Sequence, residues 1–554
     1  MPVLQWLPGY QRSLFRPDVL AGITLATFIL PESMAYSTLA GLPSHFGIYS
    51  CLAGGLFFAL FTTSRQSAVG PTSSISLMIG TTVAGLAAGV PERWVAIAAL
   101  TALLVAVLSL AAYMLRLSSL VNFISNNILL GFKAGAALSI ISTQLPHIFG
   151  LHSNGGNFFT RLFHFTTALS GTDPTVLLMG LTALVLLFLG DRILPGKPVS
   201  LIVVILAIVA MRIPALGRSG IELAGSIPGG LPVLGSPSLR LSDVDGVIEL
   251  AAACFLMGYI ETISAARALG LKNGYPVDAR QELLSLGFAN LSSAFAGGYV
   301  VAGGLSQSIV NDRAGARTPM SLLICSMGLA LILIFFTGLL RELPMVVLAA
   351  IVIHAVIGLI KWSELDRLRR ISPLEFYVAL TAVVGVLAFG ILKGVLVAVV
   401  LSLLLLLRKA SIPHVAELGR IDESDHYSDI ERHPENKLIP GLMILRPESP
   451  ILYFNVQNIM DSIKARLAKH SEIRRVVLDM SVVNYIDDSG SLALVDLARE
   501  LRRDGIELSL TDSLSEVRDM LRNQGMEEIT GHISRQYATH DAVMEFRNQK
   551  KDHY

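Results

Sequence analysis

Long apolar runs without charged side chains dominate the first 408 residues of this 554-residue chain. No Asp, Glu, Lys or Arg occurs in residues 66–91, 94–115, 283–311, 318–340 or 343–360. Because about 20 helical residues cross the roughly 30 Å hydrocarbon layer of a bilayer, each run can span a membrane. With 15% charged residues and a mean hydropathy of +0.61, the chain is predicted to be a polytopic α-helical membrane protein.

The apolar pattern predicts fourteen transmembrane segments. They are residues 18–41, 45–63, 67–86, 93–115, 119–146, 174–194, 198–212, 246–268, 281–297, 303–314, 319–339, 343–360, 374–391 and 394–408. An even number places both termini on one side of the membrane. The Lys/Arg bias of the loops predicts that this side is the cytoplasm, so the protein is expected in the cell (inner) membrane with cytoplasmic N- and C-termini.

Composition divides the chain into four parts. Residues 1–17 are predicted to form an amphipathic interfacial segment, residues 18–408 the transmembrane domain and residues 409–438 a polar linker. Residues 439–554 alternate β-rich and helical stretches, which predicts a small cytosolic α/β domain.

Several classes of function find no support in the sequence. The chain has no basic cluster interleaved with aromatic residues, so no nucleic-acid partner is expected. Its three cysteines all lie in apolar runs without metal-ligand spacing, so neither a metal site nor a cofactor is expected. There is no P-loop and no nucleophile–base arrangement, which argues against an enzyme.

Two interrupted segments, one in each half of the membrane region, indicate a binding site. Residues 68–74 (AVGPTSS) and 301–308 (VAGGLSQS) each combine an extended Gly- or Pro-bearing stretch with a hydroxyl-rich helix start. Paired broken helices in transporters direct helix N-termini at an anion near the membrane midplane. The alternative is that Ser and Thr simply cap two kinked helices.

Glu32 and Glu261 lie near the middle of the first and eighth predicted spans and are candidate symmetry mates. Burial favours the neutral form of an acid, which would let either residue exchange a proton while an anion binds. The alternative for each is a hydrogen-bonded structural acid. Lys133 is a cation deep in the fifth span, and its role is left open between attracting anions and stabilising the structure.

Several motifs of the chain are similar to those of the sulfate permease (SulP) family of anion transporters with a C-terminal STAS domain. The resemblance covers nearly the whole chain. The matching stretches are Pro31–Ser37, Leu39–Pro43, Gly47–Ser50, Thr63–Arg65, Gly70–Thr72, Asp278–Leu283, Gly287–Asn290 and Asn311–Pro319.

The resemblance implies two inverted seven-span repeats, a core domain that carries the anion, and a gate domain against which the core slides as an elevator. It also implies a homodimer. The anion would lie between the half-helices of spans three and ten, next to span one. The substrate-binding residues implied in this way are Ser33, Tyr36, Thr72, Ser73, Ser74, Gly304, Leu305, Ser306 and Gln307.

The resemblance also implies a coupling mechanism. Glu261 matches an acid that plant sulfate transporters are thought to use for proton coupling, which favours proton–sulfate symport. Gln307 stands where many relatives have Arg, and Glu32 where many have Gln, so the anion is expected to need a co-bound proton or sodium ion. Sodium-coupled bicarbonate transport, proton-coupled dicarboxylate transport, an anion channel and an anion-sensing signalling protein remain alternatives.

The C-terminal part is similar to STAS domains through residues 483–490 (VNYIDDSG). In bacterial anti-sigma-factor antagonists the serine matching Ser489 is phosphorylated, so Ser489 is a candidate regulatory site. The alternatives are that Ser489 caps the helix beginning there and that the domain mediates dimer contacts.

Overall fold

The structure is a computed structural model that describes residues 2–552 except 88–89, 119–125, 152–156, 195–197, 214–220, 226, 238–240, 423 and 471. The chain divides into two compact units, Met1–Ser402 and Leu403–Tyr554. The first seven residues of the predicted span 119–146 lie outside the described residues.

Helices make up nearly all the regular structure of the first unit. They are α1 (Val3–Trp6), α2 (Arg12–Leu39), α3 (His45–Phe61), α4 (Ser73–Leu86), α5 (Pro91–Met114), α6 (Asn126–Ile148), α7 (Phe158–Ala168), α8 (Pro174–Ile193), α9 (Val199–Ala210), α10 (Leu241–Asn273), α11 (Ala279–Phe295), α12 (Leu305–Arg313), α13 (Met320–Phe335), α14 (Thr337–Leu340), α15 (Met345–Ile357), α16 (Trp362–Ile371), α17 (Pro373–Phe389) and α18 (Ile391–Ser411), which continues past Ser402. The unit also contains two short strands, β1 (Val69–Gly70) and β2 (Ala302–Gly303).

A helix overlaps each of the fourteen ranges predicted to span the membrane. Over the described parts of the chain, six helices are long and apolar enough to cross a membrane, and five shorter apolar helices of 10–17 residues accompany them. The fold is therefore that of a multi-pass helical membrane protein. The count of fourteen spans and the inverted repeats stay predictions.

The helices of the first unit pack in two groups. Helices α2 to α5 pack with α10 to α13, whereas α6, α8 and α9 pack with α15, and α6 also packs with α17. The two groups meet where α2 packs on α9 and α15. The first group contains α2, α4 and α12, which correspond to predicted spans one, three and ten, where the resemblance implies the anion site. Side chains such as Phe188, Leu206 and Phe335 remain exposed on the outside, as expected of surfaces that face lipid.

Two carboxylates join helices of the first group. Glu282 of α11 is fully buried and accepts hydrogen bonds from the loop after α3, and Asp18 of α2 does the same for the loop before α13. Asp18 receives the backbone N–H groups of Arg317 and Thr318 at 2.7 and 3.1 Å. These backbone N–H groups lie in loops, so no helix supplies an acceptor for them. The carboxylate of each acid accepts their hydrogen bonds instead.

The second unit is an α/β domain built on a five-stranded sheet of order β4-β3-β5-β6-β7. Strand β3 is antiparallel to both of its neighbours, and β5, β6 and β7 are parallel. Its elements are β3 (Val415–Arg420), β4 (Tyr427–Asp429), β5 (Leu442–Pro447), α19 (Val456–Leu467), β6 (Arg475–Asp479), α20 (Asp488–Arg503), β7 (Glu507–Thr511), α21 (Ser515–Asn523), α22 (Glu527–Thr530) and α23 (Thr539–Asp552).

Part of the region predicted to be a linker belongs to this sheet. Residues 415–420 pair with β5, and residues 427–429 pair with β3, so residues 409–438 contain two of the five strands. The charged residues of this stretch concealed the strands. Strand β4 lies at the edge of the sheet, where polar side chains are common, and β3 is an inner strand that buries Glu417.

Candidate functional site

The two interrupted segments meet in the first unit. Strands β1 and β2 pair antiparallel, with Val69 opposite Gly303 and Gly70 opposite Ala302. Helix α4 begins three residues after β1, at Ser73, and helix α12 begins two residues after β2, at Leu305. The pairing therefore holds the N-termini of two helices beside one another in the interior of the unit.

Polar side chains fix this crossing from three neighbouring helices. The amide of Asn290 on α11 donates to the Val301 carbonyl at 2.9 Å and accepts from the Val301 N–H at 3.0 Å. The Thr262 hydroxyl on α10 accepts from the Gly303 N–H at 2.8 Å, and the Ser308 hydroxyl on α12 accepts from the Ala68 N–H at 2.9 Å. Sequence reasoning assigned no role to these three residues, because buried amides and hydroxyls carry no distinctive spacing.

Neither helix N-terminus is capped by its own N-cap side chain. Thr72 precedes α4 with extended backbone and makes no side-chain capping bond, and Gly304 precedes α12 without any side chain to offer. No hydrogen bond partner is recorded in the described structure for the backbone N–H groups of Ser73, Ser74, Leu305 or Ser306. The interpretation of these segments as ordinary capped helices is therefore not supported, and both N-termini offer donors to an anion.

The two acids of the predicted site, Glu32 and Glu261, each contact the first turn of one of the two broken helices. The Ser74 hydroxyl on α4 donates to Glu261 Oε1 of α10 at 2.7 Å, and the Ser306 hydroxyl on α12 approaches Glu32 Oε1 of α2 at 3.4 Å. Ser74 and Ser306 are each the second residue of their helices. The acid from each half thus contacts the broken helix of the other half.

Glu32 is enclosed by donors on both of its oxygens. Tyr36, one turn along α2, donates from its hydroxyl to Oε1 at 3.0 Å, and the Gln307 side chain donates from Nε2 to Oε2 at 2.9 Å. The Gln307 Oε1 atom is buried without a hydrogen bond partner in the described structure. The sequence-predicted residues Tyr36, Ser306, Gln307 and Glu32 therefore form one hydrogen-bonded group.

Glu261 is satisfied on one oxygen only. Its Oε2 atom is buried and makes no hydrogen bond to any residue that the structure describes. The half-buried Lys133 of α6 interacts electrostatically with this carboxylate, and Thr72 lies beside it. A charged acid buried without enough donors costs free energy, so this position suits a carboxyl that changes its protonation state.

The remaining predicted residues line the same region. Ser73 is buried beside the Tyr36 hydroxyl, and Ser33 is fully buried with its hydroxyl bonded to the Leu30 carbonyl at 3.1 Å. A Cβ atom at Gly47 would lie 2.0 Å from the Ser33 carbonyl oxygen, so a glycine lets α3 pack directly on this part of α2.

The site opens at the start of α12. The Leu305 side chain is 45% exposed and Ser306 is also exposed, whereas Thr72, Ser73 and Ser74 are buried. No Lys or Arg side chain makes a hydrogen bond or ion pair with Glu32 or Glu261 in the described structure. The site thus offers hydroxyl and N–H donors and two acids to an incoming anion, and Lys133 interacts electrostatically with one of these acids, Glu261.

The structure places Ser489 on the surface of the α/β unit, as the second residue of α20. It does not cap this helix. Asp487 does so, accepting from the Gly490 N–H at 2.8 Å, and its second oxygen accepts from the Tyr453 N–H at 2.7 Å. The capping interpretation of Ser489 was wrong because the helix begins at Asp488, two residues earlier than a cap at Ser489 requires, which places Asp487 in the N-cap position.

Comparison with known proteins follows the same division of the chain. The family model described as the sulfate permease family matches residues 15–382, and the STAS domain model matches residues 433–541. The chain belongs to the sulfate permease family of anion transporters and carries a C-terminal STAS domain.

Relatives of similar length carry related names. A protein named probable sulfate transporter from Mycobacterium tuberculosis is 32% identical over 553 residues, which cover 98% of both chains. The Arabidopsis thaliana protein named sulfate transporter 4.1, chloroplastic, is 31% identical over 98% of this chain and 82% of its own.

Solved structures show the same fold. The murine Solute Carrier 26 family member A9 anion transporter, solved in the inward-facing state, matches 99% of this chain and 94% of its own with a TM-score of 0.89 at 24% identity. The transmembrane domain of the cyanobacterial bicarbonate transporter BicA matches 71% of this chain and 98% of its own with a TM-score of 0.63 at 23% identity.

Proposed function

We propose that this protein is a secondary active transporter that carries sulfate together with protons. The observation that carries the proposal is the pair of uncapped helix N-termini of α4 and α12, held together by β1 and β2. Two such N-termini supply unpaired N–H groups and the positive ends of two helix dipoles, which bind an oxyanion without a fixed charged side chain.

Sulfate is the favoured substrate because relatives that align over nearly the whole chain are named sulfate transporters. The chemistry of the site fits this choice. The hydroxyls of Thr72, Ser73 and Ser74 and the N–H groups at the start of α12 are neutral donors, and an oxyanion accepts hydrogen bonds on all of its oxygens. Ser33, Tyr36, Gly304, Leu305, Ser306 and Gln307 complete the proposed substrate site.

Proton coupling follows from the two acids. A dianion that enters a site containing charged Glu32 and Glu261 meets like charges in a medium of low dielectric constant, which strongly opposes binding. Protonation of one acid removes a negative charge and adds a donor. We assign this role to Glu261, since its Oε2 atom is without a partner in the described structure, whereas both oxygens of Glu32 are held by Tyr36 and Gln307.

An elevator motion would carry the loaded site across the membrane. The residues of the proposed site lie on α2, α4, α10 and α12, all in one of the two packing groups of helices. Because the strand pair and the surrounding hydrogen bonds join these helices, they can move as one body against the group formed by α6, α8, α9, α15 and α17. We further propose that the protein is a homodimer in the inner membrane with both termini in the cytoplasm.

A second candidate is sodium-coupled bicarbonate transport. Two acids and no directly bonded basic side chain, over the residues that the structure describes, would also suit a site in which a metal cation enters with the anion. The fold is shared with the membrane domain of BicA. A proton-coupled dicarboxylate carrier would use the same donors for a carboxylate.

Uptake of radiolabelled sulfate into proteoliposomes tests the proposal. We expect saturable uptake that rises when an inward proton gradient is imposed and does not respond to an inward sodium gradient. Unlabelled sulfate should compete more strongly than bicarbonate or fumarate. A sodium response with stronger competition by bicarbonate would establish the second candidate. Binding without uptake of any of the three anions would identify an anion sensor, and uptake that follows only the membrane potential would identify a channel.

Phosphorylation of Ser489 is proposed as a means of regulation. The side chain is exposed at the start of α20, where a phosphate would lie near the positive end of the helix dipole but beside Asp487 and Asp488. Intact-mass measurement of the protein isolated from cells under several growth conditions tests this proposal. The absence of added phosphate under every condition would rule it out.

A further inference from the structure

Helix α7 places a cation inside the membrane unit, away from the proposed transport site. This helix of 11 residues is amphipathic. Its Phe159 and Phe163 side chains are 56% and 65% exposed, whereas Arg161, on the other face, is only 9% exposed. The basic residue therefore points towards the protein and the aromatic residues point away from it.

The Arg161 guanidinium is incompletely satisfied. One nitrogen, Nη2, donates to the Ser139 hydroxyl on α6 at 2.8 Å. The Nε atom is buried and has no hydrogen bond partner in the described structure. No carboxylate forms an ion pair with Arg161 within the described ranges of the chain. Burial of the Nε–H group without an acceptor is unfavourable, because its desolvation is not compensated.

The one side chain bonded to the guanidinium in the described structure is a neutral hydroxyl. Ser139, which makes this contact, and Ser142, three residues further along α6, are each 4% exposed. The Ser142 hydroxyl donates to the Ser139 carbonyl at 2.7 Å. An anion beside Arg161 would accept from the free Nε–H and from the guanidinium edge, which is the planar donor geometry that suits phosphate and other oxyanions.

We propose that Arg161 forms a second anion-binding site, which takes a phosphate-type oxyanion and is separate from the site between α4 and α12. The anion is either the head-group phosphate of a lipid lying against α7 or a free oxyanion. The bound anion supplies the hydrogen-bond acceptor that the Arg161 Nε–H group lacks, and so helps to join α7 to α6. This second site shares no residue with the proposed transport site, so it does not depend on the identity of the transported anion.

Thermal melting of the full chain tests this site. The protein would be purified in detergent, stripped of lipid and melted in sodium gluconate alone, with inorganic phosphate, or with dihexanoyl phosphatidylglycerol. We expect at least one probe to raise the Tm of the wild type. Arg161→Lys should retain part of this shift and Arg161→Gln should lose it. Without either probe, Arg161→Gln should melt no lower than the wild type, since it removes an uncompensated charge.

The probe that raises the Tm of the wild type identifies the source of the anion. A shift with phosphatidylglycerol alone identifies a lipid head group, and a shift with inorganic phosphate identifies a free oxyanion. The Ser74→Ala variant distinguishes the Arg161 site from phosphate bound at the transport site. The part of the Tm shift that depends on Arg161 should persist in this variant. The proposal is overturned if neither probe stabilises the wild type, or if Arg161→Gln lowers Tm equally in all three buffers. If Arg161→Gln does not fold, an unchanged probe shift in Arg161→Lys and Ser139→Ala overturns it.

Discussion

At the scale of single residues, two buried glutamates in the membrane unit differ in how their carboxylates are satisfied. Glu282 accepts from the hydroxyls of Thr62 and Thr63 and from the backbone N–H groups of Thr63 and Ser64. Glu261 accepts from one serine hydroxyl and leaves Oε2 without a partner in the described structure. The first arrangement stabilises a fixed charge, whereas the second suits a group that gains and loses a proton.

Removing the Glu282 carboxylate should therefore affect folding. Glu282→Ala removes the acceptor of the Thr63 N–H group and of the Thr62 and Thr63 hydroxyls, and a buried donor left without an acceptor costs about 1–3 kcal/mol. The Ser64 N–H group keeps the Thr62 hydroxyl as an acceptor. We expect a large fall in the Tm of the detergent-purified protein. The matched control, Glu249→Ala, removes an exposed acid of α10 and should change Tm little. Equal shifts in the two variants would contradict the structural role of Glu282.

Gln307 offers a test of the charge balance in the transport site. Its Nε2 atom lies 2.9 Å from Glu32 Oε2, so Gln307→Arg would place a permanent cation against this acid. With a fixed positive charge present, sulfate binding should need the proton less. We expect the ratio of sulfate uptake with and without an inward proton gradient to fall towards one in this variant.

The control for this substitution is Gln307→Leu, which removes the amide without adding charge. This variant should not lower the ratio of sulfate uptake with and without an inward proton gradient. A Gln307→Arg protein that transports sulfate with the same gradient ratio as the wild type would show that the charge of the site does not set its proton requirement.

At the scale of secondary-structure elements, the sequence predicted where the broken helices lie but not what joins them. Gly70-Pro71 and Gly303-Gly304 marked both interruptions, and α4 and α12 begin directly after them. The pairing of β1 with β2 could not be predicted, because two-residue strands have no periodicity and their partners are more than 200 residues apart. Local hydroxyls likewise suggested caps at these helices that the fold does not form.

The strand pair itself can be tested at Gly303. A Cβ atom there would lie 2.8 Å from the Thr262 Cα atom, so Gly303→Ala must push β2 away from α10. We expect sulfate uptake to be lost or strongly reduced, because the N-terminus of α12 moves away from α4. Gly338→Ala is the control, since a Cβ atom at Gly338 meets nothing within 4 Å. Normal uptake by Gly303→Ala would show that the helix N-termini need no fixed spacing.

The start of α20 gives a second test at this scale. Asp487 caps the helix, so Asp487→Ala should weaken its first turn by about 1 kcal/mol, whereas Ser489→Ala should leave it nearly unchanged. Hydrogen exchange of the amides at the start of α20 in the full chain measures both effects. Faster exchange in Ser489→Ala than in Asp487→Ala would contradict the assignment of the cap.

At the scale of the whole molecule, apolar runs predicted the membrane fold because burial in lipid leaves a simple compositional signal. Amphipathic and charged elements were missed. Helix α16 lies between two predicted spans where no helix was expected, and α7 and strands β3 and β4 were not predicted. In α16 most side chains are exposed and polar, so its average composition resembles that of a loop, whereas α7 exposes Phe159 and Phe163 and β3 is buried. Long-range hydrogen bonds such as those of Glu282 also have no local signal.

The coupling role of Glu261 is the central claim at this scale, because it links the site to the energy source of transport. Glu261→Gln keeps a neutral side chain of the same size, which mimics the protonated acid but cannot release its proton. The variant should therefore still bind sulfate and exchange it across the membrane. It should not use a proton gradient to accumulate sulfate.

The most direct measurement compares two modes of sulfate movement in the same proteoliposomes: exchange of labelled for unlabelled sulfate at equal pH, and accumulation driven by an inward proton gradient. Glu249→Gln, an exposed acid on the same helix, serves as control. We predict that Glu261→Gln retains exchange and loses gradient-driven accumulation, while Glu249→Gln retains both. Accumulation by Glu261→Gln at the wild-type level, or loss of exchange together with accumulation in a folded protein, would contradict the account.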